Sequence, residues 1–319
     1  MTEISIHHRK VAIIGLGNVG ATFAYALALS GLANEIVLVD RNEKKAHGEA
    51  MDLNHAIPLV QPQRIWAGGY EDIAGATITV ITAGTAQQPG ETRLDLLARN
   101  VGIFQSIIPQ VVAANPNGIL LIVTNPVDVL SYAAWRISGL PASRVIGSGT
   151  VLDTARFRYL LSEAYEVDPR SVHGFIIGEH GDSEVAVWSL ANIAGMRLDE
   201  FCYDSQLGGK KLDREAIEEE TRHAAYEIIE AKGATYYAIG AGLLRIVESI
   251  LRDQSTILSV STLIEDYVGV NDVYLSLPCI VDGHGIDQVL CLTLSDEERE
   301  KFQQSARIMR GYIDQLSLP

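Results

Sequence analysis

Cysteine is scarce in this chain of 319 residues: Cys202, Cys279 and Cys291 are its only three, and none stands in a Cys-x-x-Cys pair. That number and spacing exclude a disulfide-built scaffold and a structural zinc site. Free thiols suit a reducing compartment, so a cytoplasmic location and no metal are expected. Positive charge is also short. Lys and Arg number 25 against 40 Asp and Glu, a net charge of −15. Nucleic acid and anionic lipid reward cationic surfaces, so both are excluded as expected partners. Low-complexity tracts and internal repeats are missing. The apolar fraction of 47% is ordinary for a globular protein, and the length suffices for two domains.

A long membrane-spanning run is missing as well, although one stretch imitates it. No charge occurs between Lys10 and Glu35, and His8-Arg9-Lys10 precedes this stretch like the basic start of a signal peptide. Gly15, Gly17, Asn18 and Gly20 would interrupt such a helix, and a β-branched run ending at Asp40 follows. The stretch therefore reads as strand, turn and helix in a soluble, unprocessed chain with a frayed Met1–Ile6.

What is present alternates. Val11–Ile14, Ile36–Val39, Ile78–Ile81 and Ile119–Val123 are continuous apolar runs, the pattern of strands buried on both faces. Gly20–Ser30, Lys44–His55 and Leu94–Ala114 lie between them with helical spacing. This predicts an α/β fold with a doubly wound parallel sheet over 1–147, its strand C-termini along one ligand-binding edge. Beyond Gly147 the pattern changes, predicting a mixed α+β domain over 148–319. Asp153–Tyr165 and Lys211–Lys232 read as amphipathic helices; Thr256–Ile264, Val273–Val281 and Gln288–Leu294 read as antiparallel strands. Ser295-Asp296-Glu297-Glu298 is a capping box that opens a last helix running to about Leu316.

Gly15-Leu16-Gly17-Asn18-Val19-Gly20 follows the first strand, and Asp40 stands twenty residues after Gly20. In that context Gly15 permits the tight turn, Gly17 lets the backbone approach a pyrophosphate, and Gly20 lets helix and strand pack closely. The helix N-terminus offers unpaired N–H groups to phosphate. An Asp40 carboxylate would accept ribose hydroxyls and repel a 2′-phosphate, so NAD is expected over NADP. The plain alternative is a glycine-rich turn beside a solvated Asp, and Arg41 next to Asp40 pulls against the NAD preference.

Four further segments carry reactive side chains: Gln87-Gln88-Pro89-Gly90-Glu91-Thr92-Arg93, Asn125-Pro126-Val127-Asp128, Asp153-Thr154-Ala155-Arg156, and Gly178-Glu179-His180-Gly181-Asp182. In their order and spacing the chain resembles the L-lactate/malate dehydrogenase family over almost its whole length. The resemblance implies that His180 is the acid–base residue, partnered by a buried Asp153 that raises its pKa and fixes its tautomer. It implies that Arg156 grips a substrate carboxylate through a two-pronged fork, a geometry lysine cannot offer. It makes Arg93 the arginine of a closing loop over Thr85–Glu91 that polarises the carbonyl, and Asn125 and Thr235 substrate contacts. Cofactor contacts are implied at Val19, Lys45, Tyr70, Gly84, Thr85, Ser106, Thr124, Asn125 and Ser148, beside Gly15, Gly17, Gly20 and Asp40.

Gln87 stands where malate dehydrogenases of the family carry an arginine for a second carboxylate. A neutral Gln implies pyruvate and L-lactate as the substrate pair. The rivals are a malate dehydrogenase and an idle dinucleotide-binding protein. Arg158 and His173 match positions that bind fructose 1,6-bisphosphate across a two-fold axis in bacterial relatives, which implies that effector and a homotetramer. A local departure is Ala186, where the family often has proline.

Overall fold

The computed structural model describes residues 9–85, 90, 92–201 and 212–318, apart from the Arg93 side chain. The first half runs β1 (Lys10–Ile14), α1 (Asn18–Ser30), β2 (Glu35–Val39), α2 (Glu43–Ala56), β3 (Arg64–Ala67), β4 (Ile78–Ile81), α3 (Arg93–Ala114), β5 (Ile119–Ile122), α4 (Val127–Ser138) and β6 (Val145–Gly147). The second half runs α5 (Val151–Tyr165), β7 (Val172–His173), β8 (Ile176–Gly178), β9 (Glu184–Ala186), β10 (Asn192–Ile193) and β11 (Met196–Arg197). It continues with α6 (Arg214–Lys232), α7 (Tyr237–Leu251), β12 (Thr256–Ile264), β13 (Val273–Asp282), β14 (Gly285–Val289) and α8 (Asp296–Ile313).

One sheet has the order β3-β2-β1-β4-β5-β6-β12-β13-β8-β9, with β14 also on β13. Strands β1 to β6 are mutually parallel, and outside the edge strand β3 their side chains are almost all buried. Apolar side chains on both faces leave no surface for water, so helices must cover each side. The parallel half is the doubly wound sheet that the alternation predicts. The expected division between 147 and 148 falls where β6 ends, yet the sheet continues across it. Gly147 of β6 faces Ser261 of β12 in antiparallel register. Two large core clusters hold the two faces, and a third lies under Phe157, Val172 and Ile193.

The uncharged stretch after Lys10 is β1, the glycine turn and α1. Helix α3 is, among the described residues, the one helix apolar and long enough to cross a membrane. Its Leu97, Phe104, Ile108 and Val111 stripe lies fully in the core.

Two strand readings need adjustment. The hairpin return is Gly285–Val289 rather than Gln288–Leu294. Its pairing stops after Leu290 donates to the Pro278 carbonyl at 2.9 Å. Proline has no N–H for the return bond, so the ladder ends there. Helix α6 begins at Arg214, because Asp213 accepts the Ala216 N–H at 3.1 Å and caps it; Lys211 lies outside the described residues. Ser295 and Glu298 form the expected capping box on α8.

The glycine turn obeys close-packing limits. Gly15 has φ +95°, a left-handed backbone that side chains resist, and a Cβ there would lie 2.5 Å from Ala83 N. A Cβ at Gly20 would lie 2.0 Å from the Gly15 carbonyl oxygen. Gly20→Ala is therefore expected to cost at least about 1–3 kcal/mol of overpacking. Urea unfolding with an unchanged midpoint would contradict this.

Candidate active site

Parallel strands bring the C-terminal ends of β1, β4, β5 and β6 to one edge, and most expected cofactor residues stand there. Gly17 caps α1 without any side-chain bond, and no atom lies within 4 Å of where its Cβ would be. The first turn holds no acidic residue. An open backbone cradle, unpaired N–H groups and the positive end of a helix fit a pyrophosphate. Val19 is half-buried in that turn. Asp40 ends β2 and is already engaged: its oxygens accept the Leu16 N–H at 2.7 Å and the Asn42 N–H at 2.9 Å. It fixes the turn while keeping a negative charge beside it.

The β4 and β5 ends are tied together. Thr124 donates its hydroxyl to the Ala83 carbonyl at 2.8 Å. Gly84 leaves room for Thr124, whose methyl would sit 2.2 Å from a Cβ there. Asn100, fully buried on α3, accepts the Thr85 N–H at 2.9 Å and donates to the Asn125 carbonyl at 3.0 Å. Arg99 donates to the Thr85 hydroxyl at 2.7 Å. The Asn125–Pro126 peptide bond is cis. Ser148, buried after β6, donates its N–H to the Ile122 carbonyl at 2.8 Å. The remaining expected contacts lie on flanking elements: Lys45 exposed on α2, Tyr70 half-buried after β3, and Ser106 exposed on α3.

Asp153 and Arg156 share one face of α5 at i, i+3 spacing. The loop between β8 and β9 swings His180 onto them. His180 Nδ1 meets Asp153 Oδ2 at 2.5 Å, and Arg156 Nη1 donates to Asp153 Oδ1 at 2.8 Å. The His180 side chain is 23% exposed and Asp153 only 3%. With Nδ1–H turned to the carboxylate, Nε2 is the ring atom left to exchange a proton. Burial opposes charge on His180, but the Asp153 carboxylate outweighs it. The hydrogen bond adds to this, as do Asp128 and Glu184 beyond, and the imidazole is held up to about 9. Burial favours the neutral acid at Asp153, and the facing His180 overrides it to hold the carboxylate below its ordinary range. Buried Glu184, on β9, is pushed up to about 8 by desolvation and then by Asp153.

The expected role of Arg156 is to grip a substrate carboxylate through a fork; Nη1 serves Asp153, and the Nε/Nη2 edge is the part of the guanidinium that this bond does not use. Gln87 lies outside the described residues. Arg93 opens α3, and its side chain is outside them too. Thr235 is half-buried in the turn joining α6 to α7. Helix α6 reaches the His180 loop where Tyr226 donates to Asp182 at 3.0 Å. The two expected effector residues share a corner: Arg158 donates to the carbonyl of Gly174 at 3.0 Å, next to exposed His173.

Two buried polar residues at the site had no role assigned from sequence. Asn100 falls on the apolar stripe of α3 between Leu97 and Val101, and a polar side chain at a core position is itself a signal. Asp128 stands within the Asn125–Asp128 segment, but nothing local shows that it reaches the His180 main chain.

The model of the lactate/malate dehydrogenase NAD-binding domain matches residues 9–147. The model of the α/β C-terminal domain of the same family matches 150–317. An L-lactate dehydrogenase of Thermoanaerobacterium saccharolyticum is 55% identical over 97% of this chain and 99% of its own length. One from Acetivibrio thermocellus is 52% identical over 97% of this chain and 98% of its own. A crystal structure of a minor L-lactate dehydrogenase from Enterococcus mundtii, in its ligand-bound form, superposes with a TM-score of 0.93. It is 41% identical and covers 98% of this chain and all of its own.

The dyad predicts a titration. An NMR pH titration of the His180 ring should give a midpoint near 9. In Asp153→Asn, with burial left unopposed, it should fall to roughly 6.5 or below. A midpoint near 6.5 in the unsubstituted protein would refute the coupling.

Proposed function

We infer the reaction from one premise: the chain belongs to the lactate/malate dehydrogenase family. It is an NAD-dependent oxidoreductase, and the reading supported best is L-lactate dehydrogenase, the reversible reduction of pyruvate to L-lactate. The imidazole held between Asp153 and the open side of the site carries this conclusion, because it is a proton donor poised at neutral pH beside a guanidinium. The relatives at 52–55% identity, each an L-lactate dehydrogenase, support the substrate.

Bound NADH supplies a hydride to the carbonyl carbon. The chain's own residues do the rest. Arg156 receives the pyruvate carboxylate on its Nε/Nη2 edge and so sets the orientation of the carbonyl. His180 gives its Nε2 proton to the carbonyl oxygen as negative charge develops there, and Asp153 stabilises the imidazolium before transfer. Arg93 polarises the same oxygen, with Asn125 and Thr235 as further substrate contacts. In the reverse direction neutral His180 takes the hydroxyl proton of lactate.

We assign residues 1–147 to cofactor binding and 148–319 to the substrate side. The free thiols of Cys279 and Cys291 suit the cytoplasm. Exposed Tyr25 and Leu29 on α1, with Tyr237 on the adjoining α7, offer an apolar face suited to subunit contact in a homotetramer.

Gln87 excludes oxaloacetate in this reading. A second carboxylate would be buried there without a cation, a penalty of about a thousandfold in selectivity. Following NADH absorbance, pyruvate should be reduced far faster than oxaloacetate, and Gln87→Arg should shift the preference toward oxaloacetate. Equal relative kcat/KM values before and after the change would refute the assignment.

Arg158 and His173 form the proposed fructose 1,6-bisphosphate site, one pair from each of two subunits. Facing cations loosen the interface without the effector, and its phosphates turn repulsion into charge-assisted bonds. The bisphosphate is expected to lower the KM for pyruvate. Titration of the activity with the bisphosphate without any response would retire this site.

A further inference from the structure

We propose that Asp128 is a positioning residue for the proton donor: it holds the main chain of His180 while Asp153 holds the ring. The proposal rests on the reading of His180 as the acid–base residue. Asp128 lies in the first turn of α4, three residues after Asn125, and is 2% exposed. Its Oδ2 accepts the His180 N–H at 2.8 Å, and its Oδ1 accepts the Ser261 hydroxyl of β12 at 2.6 Å. The turn that presents Asn125 therefore also anchors the loop that presents the imidazole.

Both bonds, as they stand, are donated to an ionised carboxylate. Once protonated, the acid turns its O–H to Ser261, whose hydroxyl must rotate to accept, and the His180 N–H keeps only the weaker, uncharged carbonyl oxygen. The charge is held without a full cation bonded to it, since both partners are neutral donors. Asp128 is faced by Glu179 and His180 of the loop and by the Ser261 hydroxyl, and no Lys or Arg among the described residues bonds to it. Burial, with Glu179 adding repulsion, pushes it up to about 6 against the pull of Ser261 and His180.

A distinctive pH dependence follows. His180 stays protonated below about 9, so its own titration predicts no loss of pyruvate reduction on the acid side. Asp153 is held below its ordinary range, and Glu184 has taken up its proton already near 8. Weakening of the Asp128 anchor is what should make turnover fall below about 6.

The test is kcat for pyruvate reduction from pH 4.5 to 8, at saturating NADH, pyruvate and fructose 1,6-bisphosphate. The full-length enzyme is expected to fall roughly severalfold through its midpoint to a lower acid plateau, because the neutral acid holds the His180 N–H about as weakly as an amide does. Asp128→Asn keeps an acceptor for His180, and Ser261 can rotate to accept from the new amide. Its profile should be flat to about pH 5, at a plateau lowered roughly severalfold because an amide oxygen accepts less strongly than a carboxylate. Ser261→Ala removes a bond that favours the ion, so its acid limb should move up toward pH 7. An Asp128→Asn enzyme that keeps the original acid limb overturns the proposal, as does Ser261→Ala without displacement of the midpoint. Thermal melts and NADH fluorescence check folding; if Asp128→Asn fails to fold, Ser261→Ala carries the test alone. Those failures leave the acid–base assignment standing provided that His180→Asn abolishes turnover. A His180→Asn enzyme that still reduces pyruvate overturns both.

Discussion

A carboxylate buried almost completely, facing an imidazole, is the constraint on which this molecule turns. Asp153 would abandon its charge if left alone in the interior, because desolvation penalises the ion far more than the neutral acid. His180 and Arg156 each bring a donor to one of its oxygens. The carboxylate between them holds both in position, and Asp153 and His180 stabilise each other's charged forms. Removing one partner of such a set strands charge in the interior, which is far costlier than losing a surface ion pair.

That set can exist only because several elements converge. Helix α5 offers Asp153 and Arg156 one turn apart. The hairpin of β8 and β9 brings His180 from the other side, closed at its base by the Glu184 N–H on the Gly181 carbonyl at 3.1 Å. The Glu179 N–H donates to Ser305 of α8 at 2.8 Å, which pins the loop from below. The acid–base site is thus assembled from the second half of the chain. The cofactor edge is assembled from the strand ends of the first. Asp128 joins the two by tying the turn after Asn125 to His180, while Asn100 ties Thr85 to Asn125 within the first half. In the proposed reaction hydride donor and proton donor meet at adjacent atoms of one carbonyl group, and the Asp128 bridge keeps the two halves in register for it.

Much of the first half was legible in its residues. Continuous β-branched runs can only be strands buried on both faces, and the glycines at 15 and 20 occupy positions that admit no Cβ. The capping box at Ser295 marked a helix start because its side-chain bonds are local. The hairpin return was misplaced toward Leu294 because alternation alone does not register that Pro278, across the strand, cannot return a hydrogen bond. Helices α4 and α7 and the short strands β7 to β11 escaped notice. Their apolar residues face neighbours supplied by distant segments, and strands of two or three residues are too short for a period to show.

The sequence by itself determined the alternating α/β architecture and the glycine turn ahead of the first helix, and it supplied the side chains proposed to react, because each depends on local spacing and on residue chemistry. Only the tertiary structure decided how those side chains are charged and held. Arg156 shares itself with Asp153, Asp40 serves the glycine turn, Asn100 bridges two strand ends, and Asp128 reaches the main chain of a residue fifty-two positions away. Proton affinity and orientation come from burial and from partners in contact, and both are properties of the folded neighbourhood rather than of the residue.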